Sequence, residues 1–103
     1  MDPDEKNWFE LDGADEVASP ALLVYPDRIT QNIRRMVATV GGAKRLRPHI
    51  KTHKMAEVVR LHLELGVTKF KAATIAEAEM AAGCGAAVYP CTCGFILGRQ
   101  LRF

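Results

Sequence analysis

A chain of 103 residues, 49% of them apolar and 25% charged, holds enough hydrophobic material for one small core. Lysine and arginine number 14 against 12 aspartates and glutamates, a net charge of +2, which is too slight a bias to argue for a nucleic-acid or anionic-membrane partner. No run approaches the roughly 18 apolar residues of a membrane span, and the acidic start Met1-Asp2-Pro3-Asp4-Glu5-Lys6 lacks the charged and hydrophobic regions of a secretory leader. A cytoplasmic protein is expected, and Cys84, Cys91 and Cys93, odd in number and bunched late, fit a reducing compartment better than a disulfide framework.

Residues 1–18 are polar and irregular and read as an arm, with Trp8 and Phe9 as its aromatic anchors. Ala21 to Tyr25 is a short apolar run of strand character, and Asp27 is placed to cap the helix that follows. That helix aligns Ile29, Ile33, Met36, Val37 and Val40 on one face and ends at Gly41-Gly42. Lys44 to Ile50 reads as a second strand ending at Lys51. Met55 to Leu65 reads as a second helix with Met55, Val58, Val59 and Leu65 inward and Gly66 beyond its end.

Thr68 to Ala73 is a third strand. Thr74-Ile75-Ala76-Glu77 has the form of a capping box, so a third helix runs from there to about Ala82, with Gly83 after it and a fourth strand starting near Ala86. Strands recurring at intervals of about two dozen residues suit βα units with parallel pairing. Such units build either an open doubly wound sheet or a closed (β/α)₈ barrel, and a whole barrel takes roughly 250 residues.

The run Arg47-Pro48-His49-Ile50-Lys51-Thr52-His53-Lys54 concentrates an arginine, two histidines and two lysines at the end of the second strand, where α/β folds gather their sites. A lysine with a reference pKa of about 10.4 is protonated and not nucleophilic at neutral pH. Neighbouring cations disfavour that charged form and attract an anionic partner. Lys51 is therefore a candidate for Schiff-base formation with a phosphorylated aldehyde such as pyridoxal phosphate. A solvated cationic loop is the alternative from composition alone, and Lys54, in the turn before the helix, is the rival lysine. His49 and His53 alternate with Lys51 and share a face with it if the stretch is extended. His53, just past the strand end, is the candidate for the cofactor pocket, and His49 for structural hydrogen bonding.

Four segments carry a resemblance: Ser19-Pro20-Ala21-Leu22-Leu23-Val24, Asn32-Ile33, the run Arg47 to Lys54, and Lys69-Phe70-Lys71-Ala72-Ala73-Thr74-Ile75-Ala76-Glu77-Ala78-Glu79-Met80. Over about Ser19 to Ala82 the chain resembles the start of the D-threonine aldolase and D-serine dehydratase family, whose N-terminal domain is similar to that of alanine racemase. The resemblance implies an α/β protein, the N-terminal portion of a (β/α)₈ barrel of the alanine racemase type that is incomplete in this chain.

It also implies a pyridoxal-phosphate lyase acting on small D-amino acids, by retro-aldol cleavage of D-threonine-like substrates or dehydration of D-serine. The first lysine of the Arg-Pro-His-x-Lys-Thr-His-Lys element, the family's Schiff-base residue, falls on Lys51. A divalent metal beside the cofactor is implied too, but its ligands, like the phosphate-binding loops, belong to later segments of the family and have no counterpart here. A homodimer is expected of a full-length form.

The organisation expected is thus an arm over 1–18, a partial cofactor-binding barrel over 19–90 and an atypical tail over 91–103, which reads as a truncated or frame-shifted end. A second hypothesis makes the shortened chain catalytically silent, binding at most phosphorylated ligands or a partner. Unpaired strand edges and apolar helix faces would then drive self-association. The remaining polar residues have structural explanations. His62 sits among helix leucines, Glu77 and Thr74 belong to the capping box, Glu79 faces water, and Cys91-Thr92-Cys93 lacks the second ligand pair a structural zinc site needs.

Overall fold

The computed structural model describes residues 7–90. Three helices and two strands follow one another as α1 (Pro26–Val40), α2 (Ala56–Glu64), β1 (Lys69–Ala72), α3 (Ile75–Gly83) and β2 (Ala87–Pro90), with short 3₁₀ turns at Ala14–Glu16 and Ala43–Arg45. β1 and β2 pair in parallel, Lys69 opposite Ala87 and Lys71 opposite Tyr89, so α3 is the crossover between them. The architecture is α/β. The tail over 91–103 lies outside the described residues.

Helix α1 starts two residues earlier than a cap at Asp27 would give. Tyr25 is its N-cap and Pro26 its first residue, because a helix leaves its first amides without intrahelical partners and a proline has none to lose. Asp27 sits in the first turn, where its charge faces the positive end of the helix dipole. The stop is as expected: Gly41 adopts φ 83°, and the Gly42 amide turns back to the Val37 carbonyl at 3.0 Å. The arm is tied to this helix from outside. Tyr25 donates its hydroxyl to the Phe9 carbonyl at 3.0 Å, and the Arg28 guanidinium lies 3.4 Å from the Trp8 ring centroid.

Two expected strands do not form as such. Ala21 to Tyr25 makes no ladder, and Leu22 and Leu23 are 67% and 48% exposed. A strand is stabilised by a neighbour that takes its backbone groups, and no described segment lies alongside this one. The Lys44–Ile50 segment begins in the 3₁₀ turn and reaches β1 through one parallel bridge, His49 with Lys71. The Lys71 amide donates to the Pro48 carbonyl at 2.9 Å, and the Ile50 amide donates to the Lys71 carbonyl at 3.0 Å. In this register the next rung would need an amide hydrogen from Pro48, which has none, so the ladder stops.

Along β1, Phe70 and Ala72 are buried while Lys71 is exposed. The buried pair joins Ile33 of α1, Ile50, Val59 of α2, Val67, and Ala78 and Ala81 of α3 in one core. Phe70 is fully buried, worth about 2–3 kcal/mol of apolar transfer. The helices therefore cover one face of the parallel strands. The other face carries His49, Lys71 and Tyr89 in one row of the register, with the Arg47 guanidinium 3.8 Å from the Tyr89 ring centroid.

Helix α2 buries Val58 and Val59 as expected, and also His62 at 6% exposure, deeper than an ordinary half-buried histidine. Beyond the end of α2, Gly66 takes φ 86°, and the Val67 amide returns to the His62 carbonyl at 3.0 Å. Helix α3 opens on the capping box but runs one residue past Ala82, to Gly83, and the left-handed turn falls on Gly85 instead.

Candidate functional site

The parallel segments deliver two strand-to-helix turns to the same edge of the sheet. The first spans Lys51 to Met55, between the His49 bridge and α2, and the second is Ala73-Thr74, between β1 and α3.

The second turn is closed by its own side chains. Thr74 Oγ1 accepts the Glu77 amide at 3.1 Å and donates to Glu77 Oε2 at 2.9 Å, while Glu77 Oε1 accepts the Ala73 amide at 3.2 Å. The carboxylate is only 4% exposed, and both its oxygens are occupied by these bonds. This is the Thr74 cap read from the sequence, with the return bond of Glu77 shifted one residue back to the Ala73 amide, and it accounts for both residues structurally.

The first turn is longer and more open. Lys51, Thr52 and His53 form a turn rather than an extended stretch, so the alternation that would set His49, Lys51 and His53 on one face breaks at Ile50. Fully buried Ile50 anchors it, and the Lys54 amide closes back onto the Ile50 carbonyl at 2.9 Å. Lys54 itself adopts φ 54°, left-handed for a residue with a side chain. Lys51 is exposed at the strand's carboxyl end.

Imidazoles bracket this turn. His49, half-buried, accepts the Lys51 amide at Nδ1 over 3.2 Å, which realises the structural hydrogen bonding expected of it. His53 accepts the Met55 amide at Nδ1 over 3.0 Å. Its ring stacks on that of His62, with centroids 6.4 Å apart, and His62 packs edge-on to Phe70 at 5.5 Å. Burial first, then the neighbouring His62, push the His53 pKa below its ordinary value, and Glu77 pulls the other way. His53 is therefore turned toward α2 and α3, and no hydrogen bond joins it to Lys51 among the described residues.

A cleft of about 220 Å³ opens between the two turns, lined by Lys54, Thr74, Ala76, Glu77 and Met80. Lys54 is thus the lysine that faces this cleft, a placement that sequence order alone does not reveal; its left-handed backbone has no signature in a run of polar residues. Among the described residues no group of three or more His, Cys, Asp or Glu is placed to hold a metal ion. Cys84 is a half-buried free thiol, while Cys91 and Cys93 lie outside the described residues. No helix of the described residues is long and apolar enough to cross a membrane.

Comparison with curated proteins and with solved structures gives no match. The family model of the alanine racemase N-terminal domain matches residues 24–101, a span that includes α1, the Lys51 turn and both strands. The chain belongs to the alanine racemase N-terminal domain family, whose enzymes depend on pyridoxal phosphate.

Proposed function

We propose that residues 19–90 are part of a pyridoxal-phosphate-binding (β/α)₈ barrel, and that the chain is the N-terminal portion of a lyase acting on small D-amino acids. Retro-aldol cleavage of D-threonine-like substrates and dehydration of D-serine are the two reactions that the sequence resemblance supports. The observation that carries the reading is the position of Lys51: an exposed amine at the carboxyl end of a parallel strand segment, inside the span matched by the family.

The residues around Lys51 suit an anionic, ring-bearing partner. Arg47 and Lys71 bring positive charge to the uncovered face of the strands, Lys54 brings it to the cleft beside the turn, and Lys51 itself is open to attachment. Lys51 would hold the cofactor, with His53, whose ring stacks on His62, as the second residue of the pocket. Pyridoxal phosphate, when bound, supplies an electron sink for bond cleavage at the α-carbon of an amino acid. The chain's own part is to present the lysine, keep it reachable and place cations nearby that attract an anionic partner. Exposed Leu22 and Leu23, at 67% and 48%, support the further expectation that this chain self-associates.

The test is chemical trapping. The chain is mixed with pyridoxal phosphate, reduced with borohydride and mapped by mass spectrometry, alongside Lys51→Ala and Lys54→Ala variants. A dominant adduct on Lys51, lost in Lys51→Ala and kept in Lys54→Ala, is the expected result. An undiminished adduct in the Lys51→Ala chain would sink the assignment.

A further inference from the structure

The two histidines around Lys51 use the same ring nitrogen in the same way. Each accepts, at Nδ1, the amide of the residue two positions on: Lys51 for His49 at 3.2 Å and Met55 for His53 at 3.0 Å. An asparagine or aspartate side chain makes the same connection in an Asx turn. Between these two bonds lies the closure of Lys54 onto buried Ile50. The turn that carries Lys51 is thus held at its start, its closure and its exit.

A ring nitrogen accepts only when it carries no proton, so both imidazoles are neutral here and keep their hydrogen on Nε2. His62 has the opposite arrangement: its Nδ1 lies 2.8 Å from the Val58 carbonyl and must donate. The stacked rings of His53 and His62 are therefore complementary tautomers. Met55, the N-cap of α2, offers no side-chain cap of its own, and the His53 ring takes up its amide.

We propose that His49 and His53 are positioning residues for Lys51, a pair of neutral imidazole acceptors that fix the backbone of the turn and so the point from which the lysine amine reaches its cofactor. The inference rests on the assignment of Lys51 made above. Protonation at Nδ1 of His53 turns an acceptor into a donor that faces the Met55 amide, so acid opens the clamp at its exit. At His53 the groups that bear on this are His62 from α2, which disfavours the added charge, and Glu77 from α3, which favours it.

The decisive measurement is made on the whole chain labelled with ¹⁵N at histidine. Long-range proton–nitrogen correlations are expected to show a bare Nδ1 in His49 and His53 and a protonated Nδ1 in His62. Two variants then separate hydrogen bonding from ring shape: His49→Asn keeps an acceptor in Asx-turn position, and His49→Phe keeps only the bulk. His49→Phe is expected to speed amide exchange at Lys51, and to lower the borohydride-fixed adduct there, by roughly three- to tenfold, the weight of one amide hydrogen bond. His49→Asn should stay within about twofold of the parent in both readouts.

A protonated Nδ1 in His49 or His53 at neutral pH overturns the proposal, as does equal loss in the Asn and Phe variants. Faster amide exchange with an unchanged Lys51 adduct overturns the positioning role. An adduct on a different lysine in the parent chain instead overturns the Lys51 assignment, while amide exchange still reads the clamp by itself.

Discussion

The two turns that lead from strand to helix occupy equivalent places in the fold and are built in opposite ways. Ala73-Thr74 is short, and its polar groups close on one another through Thr74 and a nearly buried Glu77. Lys51 to Met55 is longer, spends a left-handed conformation on Lys54, takes its capping from imidazoles and leaves a lysine in water. The first turn contributes to stability through a saturated hydrogen-bond network. The second keeps an amine exposed at the sheet edge, and its acceptors are imidazole nitrogens, which accept only while they carry no proton.

This contrast can be broken most forcefully at Glu77. Glu77→Ala leaves the Ala73 amide and the Thr74 hydroxyl without their buried acceptor, at a cost of about 2 kcal/mol, and thermal melting should fall by roughly 10 °C. A change of only a degree or two would mean that water replaces the carboxylate and that the closed turn is less closed than its geometry indicates.

A smaller effect, of opposite sign, is expected at Lys54. With φ at 54°, Lys54→Gly removes a side chain from a left-handed residue and gains about 1 kcal/mol, less the entropy glycine loses on folding. A melting temperature raised by a few degrees would show that the open turn carries strain. A lower one would show that the Lys54 side chain, which lines the cleft, contributes more by packing than its backbone costs.

The smallest effect is the response to acid. The pKa of His53 is lowered from the ordinary 6.5 by folding, so the unfolded chain takes up the proton first as pH falls. Stability from this group is therefore complete above about pH 6.5 and declines as pH drops from there toward the folded value. Melting curves across that window should show the decline in the parent chain and a shallower one in His53→Asn. Identical slopes would remove His53 as its source.

How far the sequence could be read depended on how local the determining physics was. The Gly41-Gly42 stop, the Thr74 cap and the cationic run that holds Lys51 were all legible, because each follows from a few neighbouring residues. Ala21 to Tyr25 was not. Its composition suits a strand, but a strand forms only beside a partner, and nothing in the run itself says whether one is there. Pro48 shortened the second strand for a reason visible only once the register of His49 against Lys71 is known. The same holds for the histidines: their spacing around Lys51 was evident, whereas their turn toward α2 and α3 was not.

By itself, then, the amino-acid sequence determined the order of the three helices, the strands Lys69–Ala72 and Ala87–Pro90 and the cationic run around Lys51, since these rest on side-chain periodicity, backbone preference and charge. Only the tertiary structure decided which strands pair, that Lys54 faces the cleft while Lys51 faces water, and that His49 and His53 serve as neutral acceptors. Those outcomes depend on which groups meet across the core and on the direction in which each amide points.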